Sequence, residues 1–465
     1  MTAGSATSST IVERALELSS ADGCIVIANE SSSVNLRWAG NTLTTNGATR
    51  DRSVTVISIV GRSFGVRSTS TVGGPSDPAL AELVAAAETD ARASEAADDY
   101  AELVTPDEAA TSSAFTDPAE PTTTAVFATL ARELGDAFGA ARADGRLLYG
   151  FAQHATTTTW LGTSTGVRLR HTQPTGSVEW TAKNGRPSGS VWHGQATRDF
   201  TDVSVSAADA LLRQRLAWCE RTVELPAGRY ETLLPPSCVA DLVLDAYWSA
   251  AGRDAAEGRT VFSKAGGGTR VGESFGPAGL EMYSDPADRE LEAEPFVVTA
   301  HSSATTSVFD NGLPLSRTPW ISDGKLATLV HTRASARGVG AAVTPFIDNL
   351  ILDGGGTASL DEMIASTKRG LLLTSLWYIR EVDPQVLLLT GLTRDGVYLV
   401  EDGEVVGAVN NFRFNESPVD LLGRCAEVGA STRAMPREWA DWFTLARMPA
   451  LRVKDFNMSS VSPAS

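Results

Sequence analysis

The stretch from Tyr230 to Asp254, YETLLPPSCVADLVLDAYWSAAGRD, reads as a short strand, a Pro-Pro turn and one amphipathic helix. Ser237 is expected to cap the helix after Pro235 and Pro236. Val239, Leu242, Val243, Ala246, Tyr247 and Ala250 then recur at the spacing of a single apolar helical face, which requires a core to bury it. The opposite face carries Asp241, Asp245 and Ser249, and what that face lacks bears directly on function.

Around this helix the chain alternates between strand-rich and helical text. Ile11 to Leu18 has helical spacing, and CIVIANE (Cys24 to Glu30) and VNLRWAG (Val34 to Gly40) read as strands. SVTVISIV and SFGVRST flank Gly61-Arg62 as a hairpin, and Asp77-Pro78 opens a helix with Leu80, Leu83, Val84 and Ala87 on one side. Residues 94–124 are acidic and rich in Ala, Thr and Pro, the composition of a linker or long exposed connection. A helix follows from Ala125 to Ala143, then a meander through VRLRH, SVEWTAK and SGSVWHG, then a helix from Ala207 to Cys219. Beyond the opening stretch the chain is strand and turn, interrupted by ASLDEMIASTKRG, where Ser359 and Glu362 form a capping box and Gly370 is expected to end the helix. The last segment, ALRVKDFNMSSVSPAS, reads as a polar, extended tail.

The fold class implied is α+β. An amino-terminal α/β layer with an antiparallel sheet (1–93) is followed by the linker (94–124), a helix plus antiparallel meander (125–225), and a strand-rich, barrel-like carboxy-terminal domain (226–465). At 465 residues the chain exceeds a single ordinary core. A net charge of -17 argues against nucleic acid or an anionic membrane as the main partner, because both would be repelled over the whole surface. No basic run precedes an apolar segment at the amino terminus, and no span is long and apolar enough to cross a bilayer, so a soluble, cytoplasmic protein is expected. Cys24, Cys219, Cys238 and Cys425 are scattered without a CxxC, which fits reduced thiols.

The local chemical motifs are weak. Gly162-Thr163-Ser164-Thr165-Gly166 matches GxSxG, yet a strand rather than a helix follows it, so a β-turn is the better reading than a nucleophile elbow. KAGGGTRVGE and LDGGGTAS lack the spacing of phosphate-binding loops and read as turns or as close backbone approach to a peptide. His154, His171, His193, His301 and His331 are too far apart to share a helical turn, so no local zinc motif exists. Trp160, Trp180, Trp192 and Trp248 could line a peptide groove, with core packing as the default.

The order of segments nevertheless resembles the TldD/TldE (PmbA) metallopeptidase family over nearly the whole chain. The resemblance lies in VNLRWAGNTLTTNG and SVTVISIVGRSFGVRSTS between two helices, then FDNGLPLSRTPWISDGKLATLVHTRASARG, SLDEMIASTKRGLLLTSLWYIREVDP and GVYLVEDGEVVGAV. In the catalytic subunits of that family the stretch equivalent to Tyr230–Asp254 carries HExxxH, supplying two zinc ligands and a general base. The corresponding positions here are Leu244, Asp245 and Ser249. Leucine cannot bind zinc, serine is a poor ligand and aspartate has a shorter arm than glutamate. The family's late cysteine is also missing, since none follows Cys425.

The resemblance therefore implies a TldE-like subunit with no metal or cofactor of its own. It would pair with an HExxxH-bearing TldD-like subunit that holds the zinc, and together they would act on unfolded peptides or peptide precursors. The alternatives are a peptide-binding protein without a protease partner, or a deacylase or other hydrolase of a biosynthetic pathway using Ser164 or Asp245.

Overall fold

The computed structural model describes residues 6–112, 114–185 and 189–462. Its first half is built on a six-stranded sheet of β1 (Gly23–Trp38), β2 (Leu43–Val60), β3 (Ser63–Ser70), β4 (Leu147–Thr163), β5 (Arg168–Lys183) and β6 (Ser190–Thr197), in the order β3-β2-β1-β4-β5-β6. All neighbours are antiparallel. The stretches expected as two strands at 24–30 and 34–40 form one, because Ser31 to Ser33 keep pairing with Thr157 to Ala155 through the polar middle of the sheet. The meander strand expected to start at Ser188 is described from Ser190 onward, Ser188 lying outside the described residues.

Alternation along β1 sends its two sets of side chains to different cores. Cys24, Val26 and Ala28 meet Ile11 and Val12 of α1 (Ser8–Leu18) and Leu80 and Val84 of α2 (Asp77–Ala93). Farther along the same face, Val34, Leu36 and Trp38 pack under α3 (Ala128–Ala143) and α4 (Val205–Trp218). Ile25 and Ile27 point the other way, against Ala101, Phe296 and Phe309. The regions 1–93 and 125–225 are thus joined by β1–β4 pairing from Ile25↔Thr163 to Trp38↔Gly150.

The 94–124 stretch is exposed along most of its described length but is tied to the cores at a few points. Val104 is fully buried, Ala101 belongs to one core, and Phe115 packs into the core on the other face, its carbonyl accepting from Trp160 Nε1 at 2.9 Å. Its alanines are small enough to lie flat on a sheet, a role that composition alone does not separate from disorder.

The second half is a fourteen-stranded mixed sheet. Its hub is the strand Ala446–Val461, which the sequence suggests is a polar tail. This strand pairs antiparallel with Gly228–Leu234, Phe412–Glu416 and Cys425–Ala434, and parallel with Leu350–Asp353. Residues 463–465 lie outside the described part.

Neighbouring residues in this sheet serve opposite cores: Leu234, Leu371 and Leu451 face the helix α5 (Pro236–Trp248), whereas Leu233, Leu372 and Ala450 face the α3/α4 layer. One sheet thereby binds the two halves together. The capping box of Ser359 and Glu362 forms as expected, but its helix ends at Ala365, and Gly370 already lies in the strand Arg369–Leu373.

Gly65 on β3 sits so close to α2 that a Cβ there would approach Ala87 O to 2.3 Å and Ala91 N to 2.4 Å. Gly65→Ala is expected to cost about 1–3 kcal/mol through this overpacking, lowering the urea midpoint. Gly73→Ala, where a Cβ meets nothing within 4 Å, should leave the midpoint unchanged. Equal midpoints for the two variants would contradict the close approach.

Candidate functional site

Helix α5 begins at Pro236, whose missing N–H costs nothing in the first turn. Pro235 takes the cap position in extended conformation, so Ser237 falls inside the helix and makes no capping bond, contrary to the expectation from sequence. The apolar face is buried as its spacing requires: Val239, Leu242, Val243, Ala246 and Tyr247 are all at most 3 % exposed.

The acidic face is partly covered as well, with Asp241 buried and Asp245 and Ser249 half-buried. It is covered by the segment Arg437–Phe443, where Trp439 and Phe443 pack edge-on to Trp248 with ring centroids 5.1 and 6.4 Å away. Asp241 is wholly enclosed; its Oδ1 accepts from the Glu438 amide at 2.9 Å, and its main-chain carbonyl accepts from Trp439 Nε1 at 2.9 Å. Oδ2 of Asp241 and Oδ2 of Asp245, one helical turn apart, are enclosed without hydrogen-bond partners. Burial pushes the Asp241 carboxyl well above its ordinary range. Burial, with the charge of Glu381 adding to it, pushes Asp245 up to about 7.

The covering segment is held rigidly. The Glu438 carboxylate accepts from the amides of Tyr378 at 2.8 Å and Ile379 at 3.2 Å and from Arg380 Nη1 at 2.8 Å. Tyr378 adopts a positive φ of 55° beside this bend. Arg437 lies 4.9 Å from the Trp192 ring centroid and 5.2 Å from that of Trp377, and donates to Asp395 Oδ2 at 2.8 Å and to Ser375 Oγ. Sequence reasoning did not single out Arg437, Glu438 or Trp439; the run PREWADWF, dense in aromatic and charged residues, was the available signal.

The residues at the three positions singled out in sequence do not suit a zinc ion. Leu244 is 0 % exposed and sits within the apolar core. Ser249 donates its hydroxyl to the Asp245 carbonyl at 2.8 Å, ending the helix rather than facing a ligand. Asp245 alone offers a carboxylate, and among the described residues no three His, Cys, Asp or Glu side chains are arranged to hold a metal. Zinc sites use three or four nitrogen, sulfur or carboxylate donors together, and the three positions supply one between them.

The other sequence candidates stay apart. Ser164 lies in the turn between β4 and β5, its Oγ accepting from the Cys24 amide at 3.0 Å and its amide donating to the Cys24 carbonyl at 2.8 Å, which makes it a structural tie. Gly266, Gly267, Gly268 and Gly272 all have positive φ, as turns require. In the second glycine run, Gly356 approaches the chain's own Val428 so closely that a Cβ would lie 1.9 Å from its carbonyl oxygen.

His154 is bound between Thr122 Oγ1 and Arg198 O, His193 stacks on Trp180 at 5.5 Å with burial lowering its pKa to about 3, and His331 contacts Ser335 at 3.3 Å. Trp160, Trp180 and Trp192 are at most 2 % exposed in the sheet cores, and Trp248 packs on Trp439, so the four form no common groove. Cys24, Cys219 and Cys238 are buried free thiols and Cys425 is half-buried. No helix among the described residues is long and apolar enough to cross a membrane.

A carboxyl whose pKa is raised on folding keeps its proton in the native state at pH values where the unfolded chain has lost it. Stability then falls as pH rises from the ordinary 3.8 toward 7. Asp245→Asn removes this dependence, so its stability relative to the parent should climb across that window, by up to about 1.4 kcal/mol per pH unit, and level off above it. Urea midpoints measured from pH 4 to 8 test this, and a difference independent of pH would show that Asp245 is not desolvated.

Comparison with known proteins places this geometry. The model of the PmbA/TldA metallopeptidase C-terminal domain matches residues 227–460, and that of PmbA/TldA metallopeptidase domain 1 matches residues 24–91. No curated protein matches the sequence. Among solved structures, TldE from Thermococcus kodakarensis is similar with a TM-score of 0.78 at 15% identity, covering 96% of this chain and 98% of its own. A Bacteroides thetaiotaomicron protein described as a candidate modulator of DNA gyrase gives 0.74 at 14% identity, with 97% of both chains covered. A Thermotoga maritima protein of the same description gives 0.75 at 14%, with 94% of this chain and 95% of that one covered. At such identities the structural likeness is one of fold, but the carboxy-terminal family model alone spans half of the sequence. The chain belongs to the TldD/TldE (PmbA) metallopeptidase family.

Proposed function

We propose that this chain is the non-catalytic, TldE-like subunit of a heterodimeric zinc metallopeptidase of the cytoplasm. Its partner would be a TldD-like chain bearing HExxxH, and its own part would be to shape the substrate channel and position the active subunit. The carrying observation is the state of α5. Leu244 is sealed in the core, the Ser249 hydroxyl is committed to the helix end, and the Asp245 Oδ2 is enclosed. None of these groups can present a metal-bound water to a peptide bond, and a general base needs contact with the proton it removes.

Substrates would be unfolded peptides or peptide precursors bound in extended form, because strand-rich walls can add a peptide strand through backbone hydrogen bonds. The likeness to a structure called TldE supports the subunit type, and the net charge of -17 favours a protein or peptide partner over a nucleic acid.

The test is to purify the chain alone and with an HExxxH-bearing family member from the same host, and to measure mass, zinc and peptidase activity. A one-to-one complex with about one zinc per pair is expected, with activity only in the pair and abolished by removing the metal. Stoichiometric zinc and peptidase turnover in the lone chain would overturn the proposal. Asp245→Asn in the pair should retain activity within about twofold, since surroundings that leave a side chain out of the chemistry leave the barrier unchanged.

A further inference from the structure

The six-stranded sheet leaves one long edge open. β3 runs beside β2 from Val60↔Ser63 only as far as Ser53↔Ser70, after which the Thr71 amide donates to Arg52 O at 2.9 Å. β2 continues beyond that point, paired with β1 alone, to Thr45↔Arg37. Because Gly61-Arg62 is a two-residue turn, Val60 and every second residue back along β2 direct their N–H and C=O toward β3, and Arg52 keeps this parity. Arg50, Ala48 and Asn46 therefore direct theirs to the open side, where among the described residues nothing bonds to them. Thr45, Asn46, Ala48, Thr49, Arg50 and Asp51 are all exposed.

Strand edges are ordinarily guarded by charge, proline or a bulge. The edge strand Leu376–Asp383 follows that rule, with two register shifts against its neighbour and the amides of Tyr378 and Ile379 taken by Glu438. Thr45 to Thr49 has none of these guards. It carries no charge and no proline, and the register shift between β1 and β2 lies outside it, between Arg37 and Trp38. A flat, uncharged edge of this kind is a template for a further strand.

We propose that this edge pairs with the same edge of a second copy of the chain, running antiparallel about a two-fold axis at Gly47. In that register Asn46 of one copy exchanges both backbone hydrogen bonds with Ala48 of the other, Thr45 stands beside Thr49, and the two Gly47 residues meet with no side chain between them. Charge complementarity selects a copy over an unrelated strand. Arg37, beside Thr45 on β1, and Asp51 share one sheet face and are both exposed. Asp51 accepts only from Ser70 Oγ at 2.6 Å, and among the described residues neither charge has an ion-pair partner. In the paired sheet Arg37 of one copy lies two strands across and one side-chain step along from Asp51 of the other, about 12 Å between Cβ atoms, and the two-fold axis supplies this match twice. The chain's net charge of -17 does not oppose the contact locally, since residues 31–52 carry Arg37, Arg50 and Arg52 against Asp51 alone.

The experiment measures the mass of the full chain alone by light scattering over a concentration series, in about 0.15 M salt, where charges farther apart than roughly 8 Å are screened. A dimer is expected. Asn46→Pro removes an outward N–H that bonds nothing within the chain, and Ala48→Lys places a charge on the edge. Each should raise the dimer dissociation constant about tenfold or more, with circular dichroism showing that the fold is kept; if Asn46→Pro does not fold, Ala48→Lys decides. Gly47→Cys, whose Cβ has the Asn35 side-chain amide as its nearest neighbour at 3.3 Å, should form a disulfide-linked dimer under mild oxidation. Thr45→Cys should not, because Thr45 faces Thr49 of the other copy. A monomeric chain, a dimer indifferent to both edge substitutions, or equal cross-linking of the two cysteine variants would each overturn the pairing. A complex that forms only with an HExxxH-bearing family member and is lost in the same variants would also overturn it, assigning the edge to that partner.

Discussion

The structure depends on the hydrogen bonding of one strand, Ala446–Val461. Four strands meet it along its length, so the edges that Gly228–Leu234, Leu350–Asp353, Phe412–Glu416 and Cys425–Ala434 would otherwise expose are paired through it. Exposed strand edges are a template for aggregation. Closing several of them with one segment also fixes register, because a shift by one residue would turn Leu451 from the α5 core to the α3/α4 core. The two faces of this sheet tie the amino-terminal layer to the half that carries the site.

Helix α5 occupies one of those faces, and its composition is a compromise. Its apolar stripe is ordinary core. Its acidic stripe has been enclosed by Arg437–Phe443 rather than left in water, at the cost of two carboxyl oxygens without partners. Burying an unpaired charge is costly, and a carboxyl so placed holds its proton instead. The same covering segment spends its own charges on rigidity: Glu438 on a pair of amides, and Arg437 on two indole rings and Asp395. This arrangement gives the helix fixed neighbours on both of its faces.

Much of the fold was legible where local chemistry is unambiguous. The Gly61-Arg62 hairpin, the Ser359/Glu362 capping box and the apolar stripe of α5 each follow from geometry that few alternatives can satisfy. The fold class followed from the alternation of such pieces. Other features depended on contacts distant in sequence. The polar final segment hides a strand because a register shift between Val453 and Phe456, with Asp455 at φ 55°, interrupts the period of two just where Phe456 and Met458 become buried. The 94–124 stretch reads as a linker because, among its described residues, only Ala101 and Val104 are buried. Ser237 lost its expected cap because the preceding prolines start the helix two residues earlier. At the site, Leu244, Asp245 and Ser249 could be located by spacing, but the residues enclosing them arrive from nearly two hundred positions away, as the Asp241–Glu438 bond shows.

The pairing of Leu234 with Leu451 also sets the order of events during synthesis. The apolar stripe of α5 leaves the ribosome roughly two hundred residues before the strand that completes the sheet beneath it, and contacts of such long range form slowly. For that interval the native cover of the stripe is incomplete, because Trp320 and Leu371 have emerged whereas Leu451 and Val453 have not. The last part of the α5 core can therefore close only when the end of the chain has been made.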